Sequence, residues 1–127
     1  MIEKGLVAML LANAPIAAMV GTRISPLVLP ENSTLPALTY QTVGSVSRDT
    51  LATAGMSRVR MEFNCWGADY LDAITLRAAL IAALNGYQGL LSDGTQLQNA
   101  RQLQSIDFFD HDARLYRAMT EFYLYFD

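Results

Sequence analysis

The sequence contains one cysteine, Cys65, and one histidine, His111, among 127 residues. A single cysteine cannot form a disulfide within the chain, so the fold does not require an oxidising compartment. One cysteine and one histidine also fall short of the ligand clusters that bind zinc. We therefore expect a fold without a disulfide framework, without a metal site and without a cofactor.

Charged residues are also scarce, at 17% of the chain, against about 25% in an average domain. Acidic residues outnumber basic ones by 12 to 9, for a net charge of −3, and no run of adjacent basic residues occurs. Because DNA binding depends on many phosphate-neutralising lysines and arginines, this balance argues against sequence-specific nucleic-acid recognition. A hydrophobic fraction of 52% with so little charge predicts a folded domain with neutral or apolar surface available to a partner.

The sequence lacks a hydrophobic run long enough for a membrane span. The apolar stretch from Gly5 to Leu11 is far shorter than the roughly 20 residues that a span needs, and Asn13 interrupts the apolar residues beyond it. Glu3 precedes Lys4, which weakens the positive start of a signal peptide, while the small residues at 12–14 resemble a cleavage site. We expect synthesis in the cytosol and no membrane partner.

Hydrophobic periodicity predicts one domain over residues 1–127, of the α+β class. The clearest strand alternates apolar Val59, Met61 and Phe63 with polar residues, which is typical of a sheet with one wet face. We expect a mainly antiparallel sheet of about four to five strands with two helices packed on one face. The predicted helices are Ile2–Leu11, followed by a short second turn to Gly21, and Tyr70–Leu84; the predicted strands are Arg23–Leu29 (an edge strand), Ala37–Val46 (with a bulge at Gly44), Arg58–Trp66, Gln96–Asp107 and Leu115–Phe126, with a turn at Phe108–Asp112.

No set of residues satisfies the requirements of a catalytic site. A Ser-His-Asp triad would have to use His111, which lies in the predicted turn, where polar residues are common. Cys65 with His111 as its base is a second arrangement, but Cys65 shares the parity of the apolar residues in its strand, which predicts a buried core position. Asp107, Asp110 and Asp112 lack the register of a calcium-binding loop. We therefore expect a protein that is not an enzyme.

The polar faces of two predicted strands form a candidate interface. One strand carries arginine and glutamate on its wet face, and the last strand carries exposed tyrosines. This pattern fits a solvated sheet face, and it also fits a subunit interface, where arginine and tyrosine are enriched. The long polar connection between residues 45 and 57 is a further candidate, because such loops often dock on a partner. The candidate interface residues are Arg48, Asp49, Arg58, Arg60, Glu62, Tyr123 and Tyr125.

Four segments, taken in order, carry a family resemblance. They are Val-Gly-Thr-Arg-Ile-Ser-Pro at 20–26, Leu-Pro-Ala-Leu-Thr-Tyr at 35–40, the strand-to-helix unit Arg58–Gly89 with its motif at Met61–Trp66, and the closing strand Arg114–Phe126. Their order and spacing resemble the tail-completion, or tail-terminator-like, proteins of long-tailed bacteriophages and prophages. The segment at 96–107 departs most from that pattern, because it is richer in glutamine.

The resemblance implies a structural role in the virion tail, after assembly in the cytoplasm of the bacterial host. Members of such a family look like subunits of a ring, commonly hexameric, at the head-proximal end of the tail. The ring would end growth of the tube and join tail to head, with the tail-tube protein and the head connector as partners. A connector subunit on the portal side is the alternative within this class. A small-molecule-binding or hydrolytic α+β domain is the alternative from another class, and it would require a pocket with converging polar groups.

Overall fold

A computed structural model describes residues 2–46 and 57–126. Within these residues the chain forms three helices and six strands. In chain order they are α1 (Ile2–Ala12), α2 (Ala14–Val20), β1 (Ile24–Pro26), β2 (Ala37–Val46), β3 (Ser57–Gly67), α3 (Tyr70–Leu84), β4 (Gly89–Leu90), β5 (Gln96–Asp110) and β6 (Leu115–Phe126).

The six strands form one sheet in the order β1-β2-β3-β6-β5-β4. Every neighbouring pair is antiparallel except β1 and β2, which run parallel. The predicted α+β class with a mainly antiparallel sheet is confirmed, although the sheet has six strands rather than four to five. The additional strand, β4, has only two residues and leaves no periodicity in the sequence. The predicted bulge at Gly44 is confirmed by a shift in the β2–β3 register between Thr42 and Gly44.

The segment expected to be a short turn is a complete helix, α2. Asn13 begins it, since the Asn13 side-chain oxygen accepts a hydrogen bond from the Ile16 amide at 3.2 Å. Gly21 ends it with a φ of 60°, a conformation that favours glycine. No single helix among the described residues has the length and hydrophobicity of a membrane span; α1 and α2 reach those values only as a pair bent by 90°.

The core lies between one face of the sheet and the three helices. Phe63 of β3 and Phe122 of β6 are both fully buried and meet edge to face, with ring centroids 6.0 Å apart. From α3 a stripe at helical spacing reaches the same cluster, formed by Ala73, Leu76, Leu80 and Leu84. Cys65 belongs to this cluster with none of its surface exposed, which confirms the prediction of a core position.

Two strand boundaries differ from the sequence prediction. The expected edge strand Arg23–Leu29 is reduced to β1, because Leu27 adopts a φ of 63° and turns the chain away from β2. The expected turn at Phe108–Asp112 is wrong in its position, since β5 continues to Asp110 and the turn comes after it. The Asp110 carboxylate stabilises that later turn by accepting hydrogen bonds from the amides of Asp112 and Ala113, at 3.0 and 3.1 Å.

Replacing Gly67 by alanine is expected to destabilise the fold by about 1–3 kcal/mol. A Cβ atom at Gly67 would lie 2.8 Å from the Asp69 carbonyl oxygen and 2.9 Å from the Ala73 amide nitrogen, and both contacts are to backbone. The start of α3 would therefore have to move away from the end of β3. Chemical denaturation of Gly67→Ala and of Gly44→Ala measures this effect. A Cβ at Gly44 meets no atom of residues 2–46 and 57–126 within 4 Å, so equal losses in the two variants would contradict the explanation.

A candidate interface on the outer face of the sheet

The face of the sheet opposite the helices is called here the outer face. In the β3–β6 register Arg58 lies opposite Tyr125 and Arg60 lies opposite Tyr123, while Glu62 lies opposite a glutamate of β6. Residues directly opposed on antiparallel strands share a face of the sheet. Five of the seven predicted interface residues are therefore direct neighbours on this face. The other two, Arg48 and Asp49, lie outside the described residues.

An ion pair occupies the centre of the outer face. Arg60 Nε contacts one carboxylate oxygen of Glu121 at 2.5 Å, and Gln104 Nε2 donates to the other at 2.6 Å. Only 4% of the Glu121 surface is exposed. The hydrogen bond from Arg60 is the largest influence on this carboxyl group, and it lowers the pKa of Glu121 despite its burial. Glu121, on the face of β6 that carries Tyr123 and Tyr125, is thus a buried anion that accepts one hydrogen bond at each carboxylate oxygen.

A second polar network lies beside the first, toward the end of β3. Arg117 donates to Asn64 Oδ1 at 2.8 Å, and Asn64 Nδ2 donates to Glu62 at 3.0 Å. The Arg117 guanidinium also lies over the ring of Phe108 at 4.0 Å and near that of Trp66 at 5.8 Å. These are cation–π distances. Arg117 therefore links the polar centre of the outer face to aromatic residues at its edge.

The opposite end of the outer face carries an arginine and two tyrosines. The Arg58 guanidinium lies over the Tyr123 ring at 4.5 Å, and the rings of Tyr123 and Tyr125 are 6.3 Å apart. Arg58 Nε is buried and has no hydrogen-bond partner among the described residues. A buried donor without an acceptor costs free energy. An acceptor supplied by another chain would remove that cost.

Apolar side chains extend the outer face along β5. Leu103, Ile106 and Phe108 are each about 40% exposed, at 38%, 40% and 40%. The sequence prediction missed Phe108, which it placed in a turn. The alternation of polar and apolar residues that would have placed Phe108 on a strand is interrupted by a bulge between Gln102 and Gln104. The extra residue in the bulge changes which side chains point outward beyond it.

The residues considered for catalysis lie in unsuitable surroundings. Burial raises the pKa of Cys65 to about 12, so the group is a neutral thiol at physiological pH rather than a nucleophilic thiolate. His111 is exposed in the turn after β5, with its ring 4.9 Å from that of Phe109. Asp107 is engaged structurally, because it accepts from Tyr70 Oη at 2.6 Å and pairs with Arg77 at 2.5 Å. Among residues 2–46 and 57–126, no group of three or more His, Cys, Asp or Glu side chains is arranged to hold a metal ion.

The buried carboxylate predicts a loss of stability in acid. The folded-state pKa of Glu121 is lowered, so its stabilisation is present above the ordinary carboxyl range, about pH 4–5, and is lost as the pH falls through the folded pKa. We expect Glu121→Gln to lower the Tm at pH 7 and to differ progressively less from wild type below about pH 4. Thermal unfolding across this range tests the prediction, with the exposed Glu31→Gln as the control. A difference in Tm that stays constant with pH would contradict it.

Comparison with known proteins supports both the fold and a family. A chain of the solved structure "Virion of native gene transfer agent (GTA) particle" superposes with a TM-score of 0.73 and 20% sequence identity, over 94% of this chain and 89% of that one. A likeness at this level of identity establishes the fold. No curated protein matches the sequence significantly. The family model "Tail completion protein gp17" matches residues 4–127, nearly the whole chain. The resemblance found from the sequence is thus confirmed: the chain belongs to the gp17 family of tail completion proteins and is a structural protein of the bacteriophage tail.

Proposed function

We propose that this protein assembles as a ring at the head-proximal end of the phage tail, ends growth of the tail tube and joins the tail to the head. The observation that carries this proposal is the match of the tail-completion family model over residues 4–127. The likeness to a chain of a gene transfer agent virion supports it, because that fold occurs in an assembled phage-like particle. The role needs no catalytic step and no cofactor.

The outer face is proposed as one of the surfaces that contact neighbouring subunits. A closed ring needs a heterologous interface, in which one patch of each subunit meets a different patch of the next. The outer face has a polar centre at Arg60 and Glu121, with tyrosines at one end and exposed apolar residues of β5 at the other. Tyrosine, phenylalanine and arginine are the residues that interfaces favour. The connection containing Arg48 and Asp49 is proposed to contribute to the same contact.

The unfilled donor of Arg58 is the most specific support for this assignment. The side chain is fixed over Tyr123, and its Nε atom is shielded from solvent without an acceptor among the described residues. A carbonyl or carboxylate of a neighbouring subunit would satisfy that donor. A contact of this kind lies next to aromatic rings, where truncation of one residue typically has a large effect on binding.

Analytical ultracentrifugation tests self-association directly. The protein is examined alone over a range of concentrations, and then together with purified tail-tube protein. We expect a defined oligomer in at least one of the two conditions. A protein that sediments strictly as a monomer in both, without binding the tube protein, would overturn the ring proposal.

A joining role is separable from a terminating role by pull-down. Immobilised protein is incubated with purified tails and, separately, with purified heads. A terminator is expected to bind tails that were assembled without this protein, because their head-proximal end is unoccupied. Binding to heads alone would instead assign the protein to the portal side of the junction as a connector subunit.

A further inference from the structure

The two long open edges of the sheet are the feature from which we infer how neighbouring copies join. The outermost strands, β1 and β4, are very short, with three and two residues. Each covers only one end of the long strand beside it. The rest of β2 and the rest of β5 therefore present backbone groups that no described strand pairs with. Such edges readily accept a strand from another chain.

Among the residues that the structure describes, no strand pairs with the outer edge of β2 after Tyr40. Leu38 donates its amide hydrogen to the Arg23 carbonyl at 3.0 Å, and the Tyr40 carbonyl accepts from the Leu27 amide at 2.8 Å. Leu27 then turns the chain away with its positive φ. Because strand residues alternate with a period of two, the peptide groups of Thr42 point toward the same edge, where no described strand lies. The segment Gln41–Val46 contains neither a charged residue nor a proline, two devices that commonly protect an edge.

An apolar groove lies next to this open edge. It has a volume of about 530 Å³ and is formed between α1, the end of β1 and the middle of β2. Val7, Leu27 and Tyr40 contribute apolar surface, and Glu3 lies at the rim, where its carboxylate accepts a hydrogen bond from Thr42 Oγ1 at 3.3 Å. An added strand beside Thr42 would therefore gain backbone hydrogen bonds and also a place for alternate side chains.

The edge of β5 opens at the opposite end of the sheet. β4 pairs only with Gln96 and Leu97. Two further backbone groups on the outer edge of β5 have hydrogen-bond partners in the residues that follow α3. The Ala100 carbonyl accepts from the Gly86 amide at 2.7 Å, and the Gln102 amide donates to Asn85 Oδ1 at 3.1 Å. Beyond the bulge, the segment Ser105–Phe109 has no described strand on its outer side.

We propose that the open edge of β5, at Ser105–Phe109, pairs with the open edge of β2, at Gln41–Val46, in a second copy of this chain. A second copy is the partner that the geometry favours because one heterologous contact satisfies both edges, and its repetition closes a ring without leaving either edge free. Strand directions alternate from β2 through β3 and β6 to β5, so β2 and β5 of one copy run in opposite directions. Rotation about an axis along the strands keeps these directions, and β5 of one copy is therefore antiparallel to β2 of the next. This inference rests on the proposed ring.

The outer face would lie beside this junction. Arg60 and Arg58 of β3 are opposite Gly44 and Val46 of β2, within the segment that receives the added strand. The Arg58 Nε donor, which has no acceptor among the described residues, therefore lies one strand in from the edge at which the neighbouring copy arrives. Pairing at that edge would make the outer faces of the two copies continuous across the junction.

Proline substitution at the β2 edge tests the pairing. Thr42→Pro removes an amide hydrogen that points away from β3, a position where an edge strand tolerates proline. Thr42→Val is the matched control, since it also loses the hydroxyl bond to Glu3 but keeps the amide. We expect Thr42→Pro to weaken self-association at least about tenfold relative to Thr42→Val. Circular dichroism and thermal unfolding establish that each variant is folded, and Thr42→Lys, which places a charge at the edge, is the second variant if proline prevents folding.

The β5 edge has a corresponding pair of variants. Ser105→Pro removes an outward amide, and Ser105→Ala loses the same hydroxyl, which contacts Thr120 Oγ1 at 3.2 Å, while keeping the amide. We expect only the proline variant to impair association, by a factor similar to that of Thr42→Pro. Oligomers that form with wild-type affinity when both prolines are present would overturn the inference while leaving the proposed function standing.

Disulfide cross-linking identifies which edges meet. Thr42→Cys protein is mixed with proteins carrying a single new cysteine at each position from 103 to 110, under conditions in which wild type forms oligomers, and is oxidised. The native Cys65 is fully buried, so wild-type protein that is oxidised in the same way measures the background of cross-linking. Cross-links between position 42 and the β5 series are the expected result. Oligomers that cross-link only between two copies of position 42, or not at all, would contradict β2–β5 pairing.

A different outcome would overturn the ring itself. That outcome is a wild-type protein that forms no oligomer even with tail-tube protein.

Discussion

A protein carrying both Arg58→Ala and Tyr123→Ala is expected to fold normally and to self-associate at least about 30-fold more weakly than wild type. The two side chains lie in contact on the outer face, with the guanidinium 4.5 Å from the ring centroid. Both are partly exposed in the isolated chain, so their removal leaves the core intact. At an interface the same two residues would contribute aromatic contact area and a buried donor, which are the usual components of a binding hot spot.

Sedimentation of the double variant, alone and with tail-tube protein, measures this effect. Thr75→Ala is the control, because Thr75 is an exposed residue of α3, on the side of the sheet opposite the outer face and away from both proposed edges. We expect the control to associate as wild type does. Association of the double variant at wild-type strength would show that this end of the outer face is a solvated surface, the alternative that the sequence left open.

Removal of the Glu121 carboxylate is expected to have the largest effect on stability, a fall of at least about 5 °C in Tm for Glu121→Ala at pH 7. The carboxylate is buried and accepts from both Arg60 and Gln104. Deleting it removes two hydrogen bonds and leaves a void at a position where only 5% of the side chain is exposed. Glu121 is also the member of the pair that water cannot satisfy when it is left alone, because the Arg60 side chain is 39% exposed and a buried carboxylate without its cation is desolvated without compensation.

The double substitution Arg60→Met with Glu121→Leu tests that reasoning. It removes both charges and keeps similar volume, so we expect a smaller fall in Tm than for Arg60→Met alone, which leaves the buried carboxylate without its cation. Differential scanning calorimetry of this double variant, of Arg60→Met and of Glu121→Leu completes a double-mutant cycle. Additive effects of the single substitutions would show that the ion pair contributes nothing specific to the outer face.

The sequence predicted best those elements whose periodicity is uninterrupted. In β3 the alternation of core and polar residues continues without a break, and α3 has a buried stripe at helical spacing; both elements were predicted within one residue at each end. The alternation in β5 is broken by a bulge, so the position of Phe108 and the end of the strand were missed. The two-residue strand β4 depends on tertiary pairing with β5, and no local pattern indicates it.

The candidate site was predicted in part for a similar reason. Period-two alternation placed Arg58, Arg60 and Glu62 on one face, and the register confirms that Tyr123 and Tyr125 lie opposite two of them. The partners of Glu121 were not predictable, because Gln104 comes from a strand whose parity the bulge reverses. Whether such a face is wet or covered depends on other chains, and the sequence of one chain does not contain that information.

Electron microscopy of phage particles assembled without this protein tests the central claim most directly. If the protein ends the tail at its head-proximal side, its absence leaves tube growth unchecked and removes the joint to the head. We expect overlong tails, unattached to heads, and restoration of normal particles when the wild-type protein is supplied. Tails of normal length that are joined to DNA-filled heads in the absence of the protein would contradict the account.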